Sequence, residues 1–380
     1  MSGTILVINA GSSSIKFALF DGAGQPGLSG AATEIGSTTA RLDLAGTSTK
    51  ANLPDHAAAL QAILAGLRGQ GIAVTDLAAA AHRVVHGGPH LSAPALVTKD
   101  VVTQIEACIP LAPLHNPHNL AAIRALSLVA PDLAQTVSFD TGFHATNPEV
   151  ATRYALPPEA EALGLRRYGF HGISYEGLVQ RLPALSGTAL PHRLLACHLG
   201  NGASLCAILD GRSVATTMGY SPLDGLTMGT RTGSIDGNAV LRLAEEFGTA
   251  RAGQILNKES GLLGLSSLSS DMRALSQADT PEADFAIAHF SYWANRHAGS
   301  MIAAMGGLDA VVFTGGIGEH SAPIRGALMR DLGWLGLRMD ERANTQNAPQ
   351  LHHKGSQVSA WIVPAQEEAT IAEQARAILT

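Results

Sequence analysis

The chain has 380 residues, more than one compact core usually organises, so two domains are expected. Apolar residues make up 46% and charged residues 15%, a balance that excludes a disordered chain and gives a soluble protein a well-filled interior. A formal net charge of −6, with no dense run of Lys or Arg, argues against a nucleic-acid or anionic-membrane partner, because each needs a concentrated basic face.

The N-terminal MSGTILVINA has no basic region before its short apolar run and does not read as a signal peptide. ILVIN (5–9) predicts a first strand, and IKFALF (15–20) a second after a small-residue turn. Asp55 is a good N-cap for an amphipathic helix running to about Arg68. AAAHRVVH predicts a buried strand that ends at Gly87-Gly88-Pro89. Its histidines, with His90, have the four-residue spacing of a metal face on a helix, but the glycines and proline break any helix there. A helix is predicted from His118 to Ala130 and a strand over TVSFD (136–140). Pro281 to Met305 predicts a long helix, with Pro first and Gly306-Gly307 after its end. DAVVFT (309–314) and WIVP (361–364) predict further strands, with a last helix behind them. Strands alternating with helices argue for α/β layers. No apolar stretch approaches the roughly 20 residues that span a bilayer. Cys108, Cys197 and Cys206 form no Cys-x-x-Cys pair, which fits a reducing, cytoplasmic compartment.

Residues 9–22 (NAGSSSIKFALFDG) and 198–211 (HLGNGASLCAILDG) align without gaps at Gly11/Gly200, Ala18/Ala207, Asp21/Asp210 and Gly22/Gly211, an offset of 189 residues. Each reads as strand, small-residue turn, strand, then a tight Asp-Gly hairpin. The match is either a duplicated domain or chance likeness between two glycine-rich hairpins.

There is no P-loop and no strand-linked G-x-G-x-x-G, so a phosphate site must be built another way. The turn NAGSSSIK offers Asn9, close backbone approach at Gly11, hydroxyls of Ser12, Ser13 and Ser14, and the charge of Lys16. It reads equally as an anion-binding nest or as a polar hairpin. HLGNGAS makes the same offer with His198, Asn201 and Gly202. Arg83 and His86 lie near one predicted strand end and Asp140 at another, where ligands sit in α/β folds. RRYGFHG surrounds His171 with cations and aromatics, GLTMGTRTGS puts Arg231 in a glycine-rich loop, and FTGGIGEH turns on glycines after a buried strand. This inventory suits phosphoryl transfer, which needs positioning and positive charge more than covalent chemistry.

With VINAGSSSIKF, AHRVVHGG, PLAPLHNPHN, FDTGFH, RRYGFHG, CHLGNGAS, MGYSPLDGLTMGTR, LNKESGLLGLS, SSDMR, FTGGIGEH and PAQEEATIA in order, the chain strongly resembles the acetate kinase family, which includes propionate and butyrate kinases. The resemblance implies an α/β fold of duplicated actin-like (ribonuclease H-like) domains with a nucleotide cleft between them. It implies an N-terminal domain of residues 1–145 plus 366–380 and a C-terminal nucleotide-binding domain of 146–365. The implied substrates are ATP or ADP and acetate or propionate, with Mg²⁺, for which Mn²⁺ can substitute, in a homodimer. Arg83, Arg231, His171 and His115 would act on the transferring group. Ser12, Ser14, Lys16, His198, Leu199, Gly200, Asn201 and Gly202 would line the phosphates. Asp271, Met272 and Arg273, then Gly315, Gly316, Ile317, Gly318 and His320, would hold the adenosine. Asn9, Asp140 and Glu367 match positions tied to magnesium, and Arg83, Val85, Leu114, Phe170 and Pro222 the acyl site. The chain departs from the family pattern at Met272, at Ser234 and Gly237 beside the Arg231 loop, at His320, and at Ala365-Gln366.

An acyl carboxylate is already ionised at neutral pH, so direct in-line transfer needs no strong base. Asp140 is therefore expected to orient Mg²⁺, water or an arginine, with domain closure excluding water. A sugar kinase would need a base and a polar pocket, whereas Val85, Leu114, Phe170 and Pro222 are apolar. The reading from another class is a non-catalytic actin- or chaperone-like nucleotide switch, which would have no use for both arginines and His171.

Overall fold

The computed structural model describes residues 3–379; residues 1, 2 and 380, at the ends of the expected N-terminal domain, lie outside it. The chain forms two compact units. Unit 1 comprises Met1–Gly142, Gly172–Gly177 and Gln366–Thr380, and unit 2 comprises Phe143–His171 and Leu178–Ala365.

Unit 1 is built on strands β1 Thr4–Ala10, β2 Ser14–Phe20, β3 Pro26–Thr33, β4 Arg41–Leu44, β5 Thr47–Lys50, β6 Leu77–Val84, β7 Ala95–Leu96 and β8 Gln135–Phe139. Their order in the sheet is β5-β4-β3-β2-β1-β6-β8-β7. β1 runs antiparallel to β2 and parallel to β6, which is parallel to β8. Side chains alternate along a strand, so the apolar run of β1 serves both faces. Leu6 and Ile8 join Leu60, Ile63 and Leu67 of the helix His56–Gly69 in one cluster, while Ile5 and Val7 join Ile371, Ala372 and Ala375 of the last helix, Glu367–Leu379, in another. As expected, Asp55 caps the first of these helices, its carboxylate accepting from the Ala58 N–H at 2.8 Å.

In unit 2, β9 Arg193–Leu199, β10 Ala203–Leu209, β11 Arg212–Thr216, β12 Ala310–Thr314 and β13 Ser359–Ile362 form a sheet of order β11-β10-β9-β12-β13. β9 and β11 are antiparallel to β10, and β12 is parallel to β9 and β13. This repeats β3-β2-β1-β6-β8 in order and direction. Shifting the bounds of β1 and β2 by the 189-residue offset returns those of β9 and β10. The hairpins differ by one residue in register, since Ala10 faces Ile15 whereas Leu199 faces Ala203. Duplication, rather than chance likeness, accounts for a match that extends to the whole five-strand order.

Several local expectations are corrected. Asp210 and Gly211 form a two-residue hairpin with φ 50° and 77°, the left-handed pair such turns require. Asp21-Gly22 does not: a longer loop spans Asp21–Gln25, with the Asp21 carboxylate accepting from the Ala23 and Gln25 N–H groups at 2.9 and 2.8 Å. β6 stops at Val84, because the next N–H groups, of Val85 and His86, are taken by the side chains of Asn119 and Asn116 at 3.2 Å each. The helix expected from His118 starts at Asn116, with Pro117 in its first turn. The glycines after β12 form a short helix, Gly315–His320, rather than a turn. The helix Pro281–Met305 has the expected bounds, with Gly306 left-handed at φ 70°.

Three histidines are buried and neutral. Loss of hydration pushes His82 down to about 4 against its hydrogen bond to Gln135, and His86 to about 4 likewise. It also pushes His144 down to about 4 against its bond to the Phe170 carbonyl. The three cysteines are buried and free. No helix among the described residues is long and apolar enough to cross a membrane.

Candidate active site

In unit 1 the parallel ladder sets Ile8 beside His82 and Arg83 beside Ser138. Asn9, Arg83 and Asp140 therefore emerge at the same edge of the sheet, at the carboxyl ends of β1, β6 and β8. The Arg83 guanidinium donates to both Asp140 carboxylate oxygens, from Nε at 3.0 Å and Nη2 at 2.6 Å, and Nη1 reaches Asn9 Oδ1 at 3.4 Å. Glu367 Oε2 lies 4.0 Å from Arg83 Nε. Asp140 is only 2% exposed and Arg83 21%, so the pair is fixed yet leaves the guanidinium partly open. Burial works against the Arg83 charge, but Asp140 and Glu367 outweigh it and raise its pKa, so it is always cationic. Burial pushes the Asp140 carboxyl up, opposed by Arg83 and His115.

His115 stands at the N-terminal boundary of the helix Asn116–Val129. Ser12 is exposed on the first turn and Lys16 on β2, and Ser14 is half-buried. The Gly11 N–H donates to the Ser14 carbonyl at 2.7 Å. Val85 is buried and Leu114 is 51% exposed.

Magnesium prefers hard oxygen donors and few protein ligands. Asn9 and Glu367 supply such oxygens beside Arg83, whereas both Asp140 oxygens already accept from the guanidinium. Among the described residues no cluster of three His, Cys, Asp or Glu could hold a metal by itself. The donor set fits an ion that keeps most of its shell as water and phosphate.

In unit 2, His171 adopts the left-handed conformation at φ 59°. Its Nδ1 lies 2.9 Å from Ser204 Oγ, and its ring stacks on His198 at 4.1 Å and 18°. Arg231 donates from Nη1 to the Pro222 carbonyl at 3.2 Å. A Cβ built on Gly202 would sit 3.3 Å from His171 Nε2 and 3.5 Å from Arg231 Nη1, so both groups converge on bare glycine backbone. Phe170 is buried and Pro222 half-buried.

Also within unit 2, a cavity of about 820 Å³ is bounded by Gly200 and Asn201, by Asp271, Met272 and Arg273, and by Gly316, Ile317 and His320. Sequence reasoning missed Ser270, Ser276, Gln277, Ser321 and Pro323, which complete its wall. Leu199, His198, Gly202, Gly315 and Gly318 are not part of this lining. Leu199 is core, and Gly315, at φ 79°, lets the chain pass within 2.8 Å of the Leu199 carbonyl where a Cβ would be.

The Acetokinase family profile matches residues 4–373. The acetate kinase of Rhodopseudomonas palustris (strain TIE-1) is 46% identical over 98% of this chain and 97% of its own length. The chain belongs to the acetokinase family. The acetate kinase of Deinococcus deserti is 44% identical over 98% of this chain and 97% of its own. Two crystal structures superpose over almost all of both chains. Porphyromonas gingivalis acetate kinase has a TM-score of 0.93 at 35% identity, covering 100% of each chain, and a Francisella tularensis propionate kinase has 0.93 at 34%, covering 98% of each.

The departures from the acetokinase pattern have structural consequences. Ser234 donates to Asp224 Oδ1 at 2.7 Å, and Asp224 Oδ2 pairs with Arg167 at 2.9 Å, so the loop carrying Arg231 is tied to the RRYGFHG segment. Gly237 opens the helix Gly237–Phe247, capped by Asp236. Both His320, which is exposed, and Met272, which is buried, line the cavity. Ala365 donates its N–H to Glu319 Oε1 at 2.9 Å, the atom that also accepts from the Gly315 N–H at 2.9 Å. Two residues of the acetokinase motif PLHNP and its extension also escaped notice as site supports. Asn119 donates to the Ala10 carbonyl at 2.8 Å and Asn116 to the His86 carbonyl at 2.9 Å, so one helical turn holds the ends of β1 and β6. Their three-residue spacing, which puts both on one helix face, was the available signal.

Proposed function

We propose that this chain is an acetate kinase, which transfers the γ-phosphoryl group of ATP reversibly to acetate and gives acetyl phosphate and ADP. Membership in the acetokinase family makes it a kinase with a carboxyl acceptor. The observation that carries the reading is cationic and uncluttered. His171 Nε2 and Arg231 Nη1 meet over Gly202, and Arg83 is held open by a buried carboxylate. A carboxylate oxygen attacks the γ-phosphorus, the bond to the β-bridging oxygen breaks, and ADP leaves with the electron pair. No proton has to move. Repulsion between two anions is then the main barrier, and preorganised cations offset it. Asp140 orients Arg83 rather than accepting a proton.

Asn201, Asp271, Met272, Arg273, Gly316, Ile317 and His320 suit a nucleoside, with His198 and Gly202 for its phosphates; Ser12, Ser14 and Lys16 are the phosphate candidates of unit 1. Bound Mg²⁺ would shield phosphate charge, and Asn9 and Glu367 would hold it. Val85 and Leu114 in unit 1, and Phe170 and Pro222 in unit 2, are the apolar candidates for a short acyl chain. The superposable propionate kinase favours propionate as the second substrate to test. The free buried thiols support a cytoplasmic location. Leu241 and Phe247, 61% and 54% exposed on the helix Gly237–Phe247, support a homodimer.

Hydroxylamine trapping tests the function. ATP, Mg²⁺ and acetate should yield acetohydroxamate, with less product from propionate. Failure to form either hydroxamate while ATP is hydrolysed would exclude an acyl kinase.

A further inference from the structure

His171 has its Cα in the left-handed region, where a residue with a side chain is strained. Such a conformation persists only when neighbours over-determine it, and the preceding residue shows how. The Phe170 carbonyl accepts from His144 Nε2 at 2.9 Å. A carbonyl can only accept, so Nε2 carries the proton and Nδ1 is left as an acceptor. That acceptor faces the Ser213 hydroxyl at 2.8 Å, and Ser213 Oγ lies 3.2 Å from Cys206 Sγ. His144, Ser213 and Cys206 are all buried, so water does not compete for these bonds. The ring is also wedged against the same stretch of backbone. A Cβ on Gly169, itself at φ 77°, would come within 2.6 Å of His144 Cδ2. Beyond the peptide that His144 holds, Ser204 and His198 fix the His171 ring.

We propose that His144 is a positioning residue for phosphoryl transfer: its Nε2–H holds the Phe170 carbonyl, and thereby keeps His171 left-handed with its own Nε2 turned toward Arg231. This rests on the kinase function proposed above and on the role given there to His171. A histidine that only fills the core would affect stability, not the working geometry of His171.

Two substitutions separate the ring's two ends. His144→Gln carries an amide N–H to about where Nε2 stands, whereas His144→Asn reaches only to the position of Nδ1. The full-length enzyme, these variants, His171→Ala and His144→Asn/His171→Ala are compared by hydroxamate trapping, with thermal midpoints measured alongside. His144→Asn should lower kcat about 10–100-fold, as misplacement by about 1 Å does, with the KM for ATP within about twofold. His144→Gln should recover most of that loss. In the His171→Ala background, His144→Asn should cost no more than about twofold, because the two act as one unit. Equal kcat in the Asn and Gln variants, or losses that multiply in the double variant, would overturn the proposal even if thermal midpoints fall. A wild-type enzyme that forms no hydroxamate would instead overturn the kinase function, and full activity in His171→Ala would overturn the role of His171.

Discussion

Mild acid should unfold this protein through three histidines. His82 and His86 in unit 1 and His144 in unit 2 are 2%, 0% and 2% exposed, and lost hydration holds each near 4. In an unfolded chain the value is about 6.5. A pKa depressed by folding means that the unfolded state binds more protons between those two values. The stability from neutral burial is therefore complete above about pH 6.5 and is lost as the pH falls toward about 4. At pH 5 the solution is about 1.5 pH units below the unfolded value of each ring, so keeping a ring neutral costs about 2 kcal/mol, or about 6 kcal/mol for the three. That is a large share of the roughly 5–15 kcal/mol that holds a typical fold. Asp140, pushed up by burial, works in the opposite direction but is a single group. His86 has the least room to adapt. Its Nδ1 accepts the Gly88 N–H at 2.9 Å, and a proton there would set two donors face to face. Urea unfolding at about pH 7 and pH 5, followed by far-UV circular dichroism, measures the loss. Trp293, Trp334 and Trp361 all lie in unit 2, so tryptophan fluorescence follows the unit that holds His144. His82→Gln keeps a donor for the Gln135 carbonyl oxygen, which His82 Nε2 meets at 2.7 Å, and should reduce the acid loss in unit 1 by about 2 kcal/mol. Equal stability at the two pH values, or an acid loss unchanged by His82→Gln, would refute the reasoning.

Arg83→Ala and Arg231→Ala should each lower kcat about 10²–10³-fold with little change in nucleotide Kd, measured by hydroxamate formation and calorimetry. Normal turnover in both would remove them from the chemistry. Asp140→Asn should cripple turnover and weaken its Mg²⁺ dependence, since it loosens the two-point grip on Arg83; an unchanged rate and metal response would make Asp140 structural. Val85→Ala should move kcat/KM from acetate toward propionate within the roughly 10–200-fold that one methylene commands, mainly through KM. A fixed ratio with lowered stability would identify Val85 as core. Gly237→Pro should stabilise unit 2 by about 0.4–1 kcal/mol in urea unfolding. Nothing lies within 4 Å of a Cβ there, and Asp236 has the extended backbone (φ −61°, ψ 132°) that a following proline prefers. A loss of stability would show that the Gly237 backbone is needed as it is.

Elements carrying their own local signals could be read in the sequence. Thr280 and Pro281 start the long helix and Gly306 ends it, because capping and left-handed termination are set within a few residues. β1 and β12 were legible as buried apolar runs. β3, PGLSGAAT, was not, because it lacks β-branched bulk, and as a strand it is held by pairing with β2 and β4 rather than by propensity. The candidate site residues could likewise be picked out one motif at a time. Their relations could not: Arg83 and Asp140, 57 residues apart, meet only because β6 and β8 pair in parallel with Arg83 beside Ser138. The left-handed turn at His171, the bond from His144 to the Phe170 carbonyl 26 residues on, and the convergence with Arg231 over Gly202 are also products of packing. Motif and order along the chain determined which family this chain belongs to. Register and burial decided which atoms face one another, since pairing energies depend on neighbours that no local stretch of sequence contains.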